Sequence, residues 1–281
     1  MVKGSCLCKK VSWQVTGDLE ALSHCHCSMC RKAHGAPYAT FTKVARKHFE
    51  WIRGRSEITH YESSPGFIRG FCQHCGSATP APETESDIYV PAGGLEGDLG
   101  VKANRRIFVG SNAPWYDITD GLPRYEEYPQ SEFPVVERGV AESTESGVVR
   151  GSCVCGDVQF EMSEPFDIIH NCHCSRCRKA RAAAHTTNGF LADTGLKFTS
   201  GEEHVKTYLL PEANAFGQAF CEKCGGKVPR HNQARNMYSV PLGSLDDDPG
   251  QKPHSHIYID SKADWDEVTG DLPRFAESAR R

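Results

Sequence analysis

Residues 25–33 read Cys-His-Cys-Ser-Met-Cys-Arg-Lys-Ala, and residues 172–180 read Cys-His-Cys-Ser-Arg-Cys-Arg-Lys-Ala. Three thiols within six residues are too dense for ordinary core cysteines, but they can hold one soft metal ion from three sides. In an extended C-x-C segment both sulfurs share a face, because side chains alternate along a strand. The turn that follows brings the third sulfur back. No fourth cysteine lies nearby, so each stretch predicts a three-thiolate site.

The composition predicts a globular protein that keeps its thiols reduced. The chain has 281 residues, of which 38% are hydrophobic and 24% are charged, and its net charge is −4. This balance argues against a protein that binds nucleic acid through zinc modules, since these usually present a basic face. No apolar run approaches the roughly 20 residues of a membrane helix, and no signal peptide is recognisable. We therefore expect a cytoplasmic protein whose 14 cysteines are metal ligands rather than disulfides.

The cysteine pattern occurs twice along the chain. The first five cysteines recur 147 residues later, the C-x-x-C pair at Cys72 recurs after 149 residues, and Trp115 recurs after 150. The sequence therefore predicts a tandem duplication, with a first zinc domain over residues 1–136, a linker over 137–149 and a second zinc domain over 150–281. Because duplicated domains inherit matching surfaces, we expect them to pack as an intramolecular pseudo-dimer.

Both copies have the pattern of a mainly β domain. Alternating apolar and polar residues predict half-buried strands at Val11–Val15 and Val158–Met162. The first copy has further predicted strands at Tyr38–Phe41, Phe67–Phe71, Ile88–Val90 and Ile107–Val109, and a helical turn at Arg31–His34. A small all-β domain has a thin core, and bound metal is a usual supplement to it.

The seven cysteines of each copy divide into a four-thiolate set and a three-thiolate set. The four-thiolate sets pair a C-x-C with a C-x-x-C knuckle and predict closed, structural zinc sites. Their members are Cys6, Cys8, Cys72 and Cys75 in the first copy and Cys153, Cys155, Cys221 and Cys224 in the second. The three-thiolate sets leave a fourth zinc position open, as catalytic sites do. Their members are Cys25, Cys27 and Cys30 in the first copy and Cys172, Cys174 and Cys177 in the second.

Three alternatives to this division stay open. The four-thiolate ligands could instead hold an iron–sulfur cluster, although two complete sets in a β-rich knuckle context favour zinc. A histidine could close the three-thiolate site of the first copy, the candidates being His24, His26, His34 and His74. Thiol redox chemistry at the C-x-x-C pairs would require those cysteines to be metal-free and exposed.

An open three-thiolate zinc site favours chemistry on a thiol. Three thiolates donate much charge to the ion, so it is a weak Lewis acid and activates water poorly. A substrate thiol could take the open position, lose its proton and remain a nucleophile. Arg31 and Lys32 follow the first triplet directly and could bind a carboxylate of that substrate, although solvated surface charge explains them equally well.

The ordered motifs resemble the glutathione-dependent formaldehyde-activating enzyme family. Both copies contain Gly-Ser-Cys-x-Cys, Cys-His-Cys-Ser-x-Cys-Arg-Lys, Phe-Cys-x-x-Cys-Gly and Leu-Pro-Arg. The resemblance implies two tandem zinc-binding β-tent domains of short antiparallel strands, each with a structural and a catalytic zinc. It also implies carbon–sulfur lyase chemistry, in which glutathione adds to formaldehyde or a related aldehyde. Arg31 and Lys32 are then predicted glutathione contacts. The rival function is a non-catalytic, zinc-stabilised module for a protein partner.

The two copies depart from the family pattern at different places. The first copy has Lys9 where the second has glycine after its C-x-C pair. It keeps Tyr38 and Arg69, which the second copy replaces with His185 and Gln218. We therefore expect the first copy to carry the chemistry. The second copy would be mainly structural, with its triplet either unloaded or closed by a neighbour such as His185.

Overall fold

The structure, a computed structural model, describes residues 1–128, 147–213 and 216–279. Short strands dominate, and the described part of each half holds three small sheets and one short α-helix. The predicted domain boundary at residue 136 and residues 137–146 of the predicted linker lie outside the described residues.

The elements of the two halves follow the same order. The first half contains β1 (Val2–Ser5), β2 (Ser12–Val15), β3 (Leu22–Cys25), α1 (Ser28–His34), β4 (Ala39–Ala45), β5 (Phe49–Arg53), β6 (Ile58–Ser64), β7 (Phe67–Cys72), β8 (Ala78–Thr79), β9 (Asp87–Pro91), β10 (Ala103–Ile107) and β11 (Arg124–Tyr125). The second half contains β12 (Val149–Ser152), β13 (Gln159–Met162), β14 (Ile168–Cys172), α2 (Ser175–Arg181), β15 (Thr186–Ala192), β16 (Leu196–Ser200), β17 (Val205–Leu209), β18 (Gly217–Cys221), β19 (Lys227–Val228), β20 (Arg230–Asn232), β21 (Met237–Pro241) and β22 (Ser255–Ile257).

Equivalent strands build equivalent sheets, so the mainly β prediction is confirmed. The sheets have the orders β1-β2-β5, β11-β10-β3-β4-β9 and β6-β7-β8 in the first half. The second half has β12-β13-β16, β20-β21-β15-β14-β22 and β17-β18-β19. Neighbouring strands are antiparallel except in the pairs β3–β10, β10–β11 and β14–β22. Neither helix of the described ranges is long and apolar enough to cross a membrane.

One predicted strand is too long. The pattern Ile107–Val109 predicts a strand, but β10 ends at Ile107. Phe108 adopts the left-handed backbone conformation, with a φ of 57°, and residues Val109–Ser111 form a 3-10 turn. The chain turns at Phe108 although the three residues are apolar, because left-handed backbone cannot continue a strand.

Each cysteine triplet joins the end of a strand to the start of a helix. Cys25 is the last residue of β3, and Cys27 caps α1 through its sulfur, which accepts the amide N–H of Cys30 at 3.4 Å. The helix ends at Gly35, whose left-handed backbone (φ 59°) forms the C-cap. The second half repeats this arrangement around α2. Strand end, helix cap and thiol positions are thus set by the same few residues.

The two halves exchange tryptophans between their hydrophobic cores. Trp115 of the first half belongs to the core of the second half, together with Phe160 and Leu242. Trp265 of the second half belongs to the core of the first, together with Trp13. The two exchanged indoles are only 1% and 3% exposed. Each core is therefore completed by a side chain from the other half.

Backbone segments also approach closely where the halves meet. A Cβ at Gly93 would lie 2.2 Å from the amide nitrogen of Ala183, just after α2. At the equivalent position in the second half, a Cβ at Gly243 would lie 2.4 Å from the carbonyl oxygen of Arg31 in α1. Only glycine permits such a contact, so the turn of each half packs directly on the helix region of the other.

Equivalent lysines of the two helices cross the same boundary. Lys32 Nζ in α1 lies 2.5 Å from Asp246 Oδ1 of the second half. Lys179 Nζ in α2 donates to Ser5 Oγ of the first half at 2.9 Å and forms an ion pair with Glu96. Partly exposed ion pairs contribute little free energy, so we attribute the cohesion of the halves mainly to the shared cores.

Truncating the exchanged tryptophan should destabilise the whole chain. We expect Trp265→Ala to lower the free energy of unfolding by about 3–5 kcal/mol, as large-to-small core substitutions do. Because Trp265 lies in the core of the opposite half, one cooperative transition should shift in thermal and denaturant melts. Ile52→Ala is a control at a side chain that is 52% exposed. A second, unshifted transition in Trp265→Ala would contradict shared cores.

Replacing Lys9 with glycine should stabilise the protein. Lys9 has a φ of 60°, and its counterpart Gly156 has a φ of 79°. Left-handed backbone costs a non-glycine residue about 1–2 kcal/mol, partly offset by the greater unfolded-state entropy of glycine. We expect Lys9→Gly to raise the free energy of unfolding by about 0.5–1 kcal/mol in urea titrations. Lys9→Ala removes the charge but keeps the strain, so an equal gain from it would refute this explanation.

Candidate functional site

The four-thiolate sets assemble as the spacing predicts. All 14 cysteines are unpaired, and the sulfurs within each set of four lie within 4.8 Å of one another. In the first half Cys6 Sγ lies 3.5 Å from Cys8 Sγ, which lies 3.7 Å from Cys72 Sγ. Zinc–sulfur bonds of about 2.3 Å place tetrahedral sulfurs about 3.8 Å apart, so these donors fit one zinc ion. The second half repeats the arrangement, with sulfurs of Cys153 and Cys155 3.3 Å apart.

The backbone around these sulfurs is shaped for thiolates. Gly76 and Gly225, which follow the C-x-x-C pairs, have φ values of 72° and 71°. The amide N–H of Val11 donates to Cys6 Sγ at 3.4 Å, and that of Val158 donates to Cys153 Sγ at the same distance. Amides aimed at sulfur favour the ionised thiol.

The three-thiolate sets are also assembled in both halves. Each set of three sulfurs lies within 4.8 Å. In the first half, the neighbouring thiols of Cys25 and Cys27, and then the guanidinium of Arg69, hold the pKa of Cys30 well below its usual range, while burial opposes them. The same mutual contacts raise the pKa of Cys25 well above its usual range. Without a cation the three thiols cannot all ionise together, so the full thiolate set requires a bound metal ion.

No candidate histidine joins the first triplet within the described part of the chain. His24 Nδ1 pairs with Thr40 Oγ1 at 2.9 Å, and His34 Nδ1 pairs with the Arg181 carbonyl at 2.7 Å. The other two candidates have partners of their own, namely Asn112 and Arg106 for His26 and Glu57 and Lys10 for His74. The group formed by the three sulfurs contains none of these rings. The donors present therefore fit a site with three protein ligands.

His185 does not close the second triplet either. Its ring groups with His173 and Asp266 rather than with Cys172, Cys174 and Cys177. The expectation that it could serve as their fourth ligand is therefore wrong for this arrangement. Strand β15 starts directly after His185 and directs the ring toward the other half, where it contacts Tyr38 at 5.6 Å between ring centroids.

A half-buried arginine, absent from the predicted site residues, lies beside the first triplet. Arg69 in β7 places Nη2 3.6 Å from Cys30 Sγ, and its Nε donates to Ser63 Oγ at 2.9 Å. Burial alone would lower the pKa of Arg69, but the thiolates of Cys30 and Cys27 outweigh it and raise that pKa. The sequence signal for this residue was only its difference from Gln218, which instead donates to the backbone carbonyl of Cys75.

An open cleft adjoins this arginine. Its cavity volume is only about 20 Å³, and the first half lines it with Arg69 and His34, among others. The second half contributes Gly225 and Lys227. Lys227 is fully buried and donates to the carbonyl oxygens of Gly76 and Gly225 at 2.5 and 2.7 Å. Burial, followed by the nearby Arg181, lowers the pKa of Lys227 to about 7. The cleft therefore combines residues of both halves, and Arg69 supplies its positive charge.

The predicted glutathione contacts have protein partners. Arg31 Nε donates to the carbonyl of His26 at 3.3 Å, as the equivalent Arg178 does to His173. Lys32 is engaged in the ion pair with Asp246. These contacts give both residues a role in holding the triplet loop and the boundary between the halves. Their contact with glutathione remains a prediction.

Comparison with known proteins agrees with the motifs. A crystal structure of a Rhodobacter sphaeroides protein is similar over 34% of this chain and 88% of its own, with 26% identity and a TM-score of 0.29. No curated protein matches the chain. The sequence model described as glutathione-dependent formaldehyde-activating enzyme matches residues 1–111 and again residues 148–261. With one match in each half, the chain belongs to the glutathione-dependent formaldehyde-activating enzyme family.

Proposed function

We propose that this protein is a zinc-dependent carbon–sulfur lyase that joins a thiol such as glutathione to formaldehyde or a related aldehyde. The observation that carries the proposal is Arg69, which lies 3.6 Å from Cys30 Sγ and also lines the open cleft. A cation between a thiolate set and a cleft suits a site that receives an anionic thiol substrate. Family membership supports the reaction class.

The first triplet and the neighbouring Arg69 have separate tasks in this reaction. Zinc held by Cys25, Cys27 and Cys30 would supply a position at which a thiol gives up its proton. Arg69 offsets the charge of the thiolates and attracts a carboxylate of glutathione. A sulfur–carbon bond forms as the carbonyl π bond opens, and the thiol proton ends on the former carbonyl oxygen. The step is an addition, so it needs no oxidant or reductant.

We propose that the first half carries this chemistry. Arg69 lies beside its triplet, whereas Gln218 at the equivalent position is used in a contact with the Cys75 carbonyl. The second half is then mainly structural, and Cys172, Cys174 and Cys177 do not take part in turnover. The second half would still serve the first, because it supplies Lys227 to the cleft.

The domain organisation belongs to the same proposal. We assign residues 1–136 and 150–281 to two zinc domains that pack as a pseudo-twofold pair, joined by a linker over 137–149. The matched contacts of Lys32 and Lys179 and the exchanged tryptophans support this arrangement. The reducing cytoplasm is the compartment that suits 14 unpaired cysteines.

The test of this function is loss of formaldehyde that depends on glutathione, measured together with zinc per chain. Turnover that scales with zinc content and requires both substrates supports the lyase. Full zinc loading with no thiol binding and no turnover would favour the rival, a zinc-stabilised module for a protein partner. Reversible disulfide formation in metal-free protein would favour redox chemistry instead.

Mild chelation should remove zinc from the three-thiolate sites first. Their fourth position is open to a competing ligand, whereas four protein thiolates fill the other sites. We expect early loss of activity with an unchanged melting temperature, followed by unfolding when the remaining zinc leaves.

Substitution of single ligands should separate the two kinds of site in the same way. Cys27→Ser should mainly lower activity, and Cys72→Ser should damage folding. Equal thermal destabilisation by the two substitutions would contradict this division into catalytic and structural sites.

The two triplets should contribute unequally to catalysis. We expect Cys27→Ser to abolish glutathione-dependent turnover and thiol binding, while Cys174→Ser retains most of both. Arg69→Gln, which copies the second half, should lower kcat/KM by about 10–100-fold through loss of a charge-assisted contact. Gln218→Asn, at the equivalent position of the second half, is the control for Arg69→Gln. Equal losses from Cys27→Ser and Cys174→Ser would refute the asymmetry, and a loss only from Cys174→Ser would reverse it.

A further inference from the structure

Three chemistry-bearing side chains meet in the second half, apart from the cysteines. They are His173, His185 and Asp266, whose ligand atoms all lie within 4.8 Å of one another. The residues are 0%, 4% and 5% exposed. His173 comes from the triplet loop, His185 precedes β15, and Asp266 follows the exchanged Trp265. Two imidazoles and a carboxylate are therefore enclosed at the boundary between the halves.

The atoms that face one another in this cluster lack hydrogen-bond partners. Among the described residues, neither ring nitrogen of His185 has a hydrogen-bond partner, and the same holds for His173 Nδ1 and Asp266 Oδ2. Leaving a buried polar group unsatisfied costs about 1–3 kcal/mol. Four such atoms in one cluster indicate that a further group belongs there.

The spacing of these atoms fits an ion between them. His173 Nδ1 lies 3.6 Å from Asp266 Oδ2, which is too long for a hydrogen bond. Two ligands bound tetrahedrally at about 2.1 Å from one ion are about 3.4 Å apart. An imidazolium–carboxylate pair would satisfy only one nitrogen of one ring, whereas an ion also engages His185.

The outer contacts hold His173 in a suitable orientation. Its Nε2 lies 2.8 Å from Nδ1 of His256 in β22. When Nε2 carries the proton and donates it to His256, Nδ1 keeps its lone pair toward Asp266 and His185. A hydrogen bond on the second ring nitrogen is the usual support of a metal-binding histidine.

The first half has no such cluster at the equivalent positions. There His26 corresponds to His173, while Tyr38 and Tyr116 stand where the second half has His185 and Asp266. Both nitrogens of His26 have partners at 2.8 Å, with Asn112 on Nδ1 and Arg106 on Nε2. The second half thus has a histidine and an aspartate facing this ring where the first half has two tyrosines.

We propose that His173, His185 and Asp266 form an additional metal site for a divalent transition ion such as Zn²⁺. Two neutral nitrogens and one carboxylate suit Zn²⁺ or Fe²⁺ and differ in chemistry from the thiolate sites. The site is buried, so its role is structural. It fixes the segment that carries Trp265 into the opposite core, and it does not depend on the proposed lyase function.

Metal analysis of full-length variants tests this proposal. We expect His185→Tyr, which restores the residue of the first half, to bind one zinc fewer per chain than wild type. Asp266→Asn should also bind one zinc fewer per chain, and it hardly changes the shape of the side chain. It can therefore replace His185→Tyr in the test if that variant does not fold. Tyr38→Phe is the matched control in the first half and should keep the wild-type zinc content.

Cobalt substitution identifies which site is lost. Thiolate-bound Co²⁺ gives intense sulfur-to-metal charge-transfer bands, and nitrogen- and oxygen-bound Co²⁺ does not. The proposal requires Asp266→Asn to lose one Co²⁺ while the thiolate bands keep their wild-type intensity. An unchanged metal content in both variants, or a loss accompanied by weaker thiolate bands, would overturn it.

Discussion

Convergence of buried thiolates from distant segments is the constraint on which this fold depends. Cys8 and Cys72 are 64 residues apart in sequence, yet their sulfurs lie 3.7 Å apart. Such thiols ionise together only around a cation, so ligand binding and folding are coupled. The sheets around them contain only three or five short strands, which bury little apolar surface alone. The sulfur clusters therefore set where β2 and β7 lie relative to each other, and the rest of each half follows from that.

Local sequence pattern was enough to predict what is local in the chain. The C-x-C and C-x-x-C spacings, repeated at a nearly constant offset, grouped all the cysteines as the structure groups them. The exchange of Trp115 and Trp265 could not be predicted in this way. A buried tryptophan has the same sequence signature whichever core receives it, since periodicity reports burial and not the identity of the neighbour. Phe108 shows a related limit, because its apolar side chain hides a left-handed backbone.

The cysteines of the candidate site could be predicted from the sequence, but the residues that surround them could not. Its thiolates follow one another within a strand end and a helix start, so their spacing reveals them. Arg69 is 39 residues from Cys30 and reaches that residue of α1 from strand β7. Lys227 comes from the opposite half of the chain. Long-range contacts of this kind depend on how the halves pack, and a single sequence carries little information on that packing.

The duplication proposed for this chain would explain how the boundary between the halves could change. In a symmetric homodimer, a residue near the twofold axis meets its own copy, so one substitution changes both sides at once. Tyr38 and His185 occupy equivalent positions and contact each other at 5.6 Å. Here one side keeps an aromatic hydroxyl, while the other has gained an imidazole near Asp266. In the proposed pseudo-twofold arrangement, one half can therefore keep the cleft beside Arg69 while the other builds different buried chemistry, because the two sides of the axis are encoded separately.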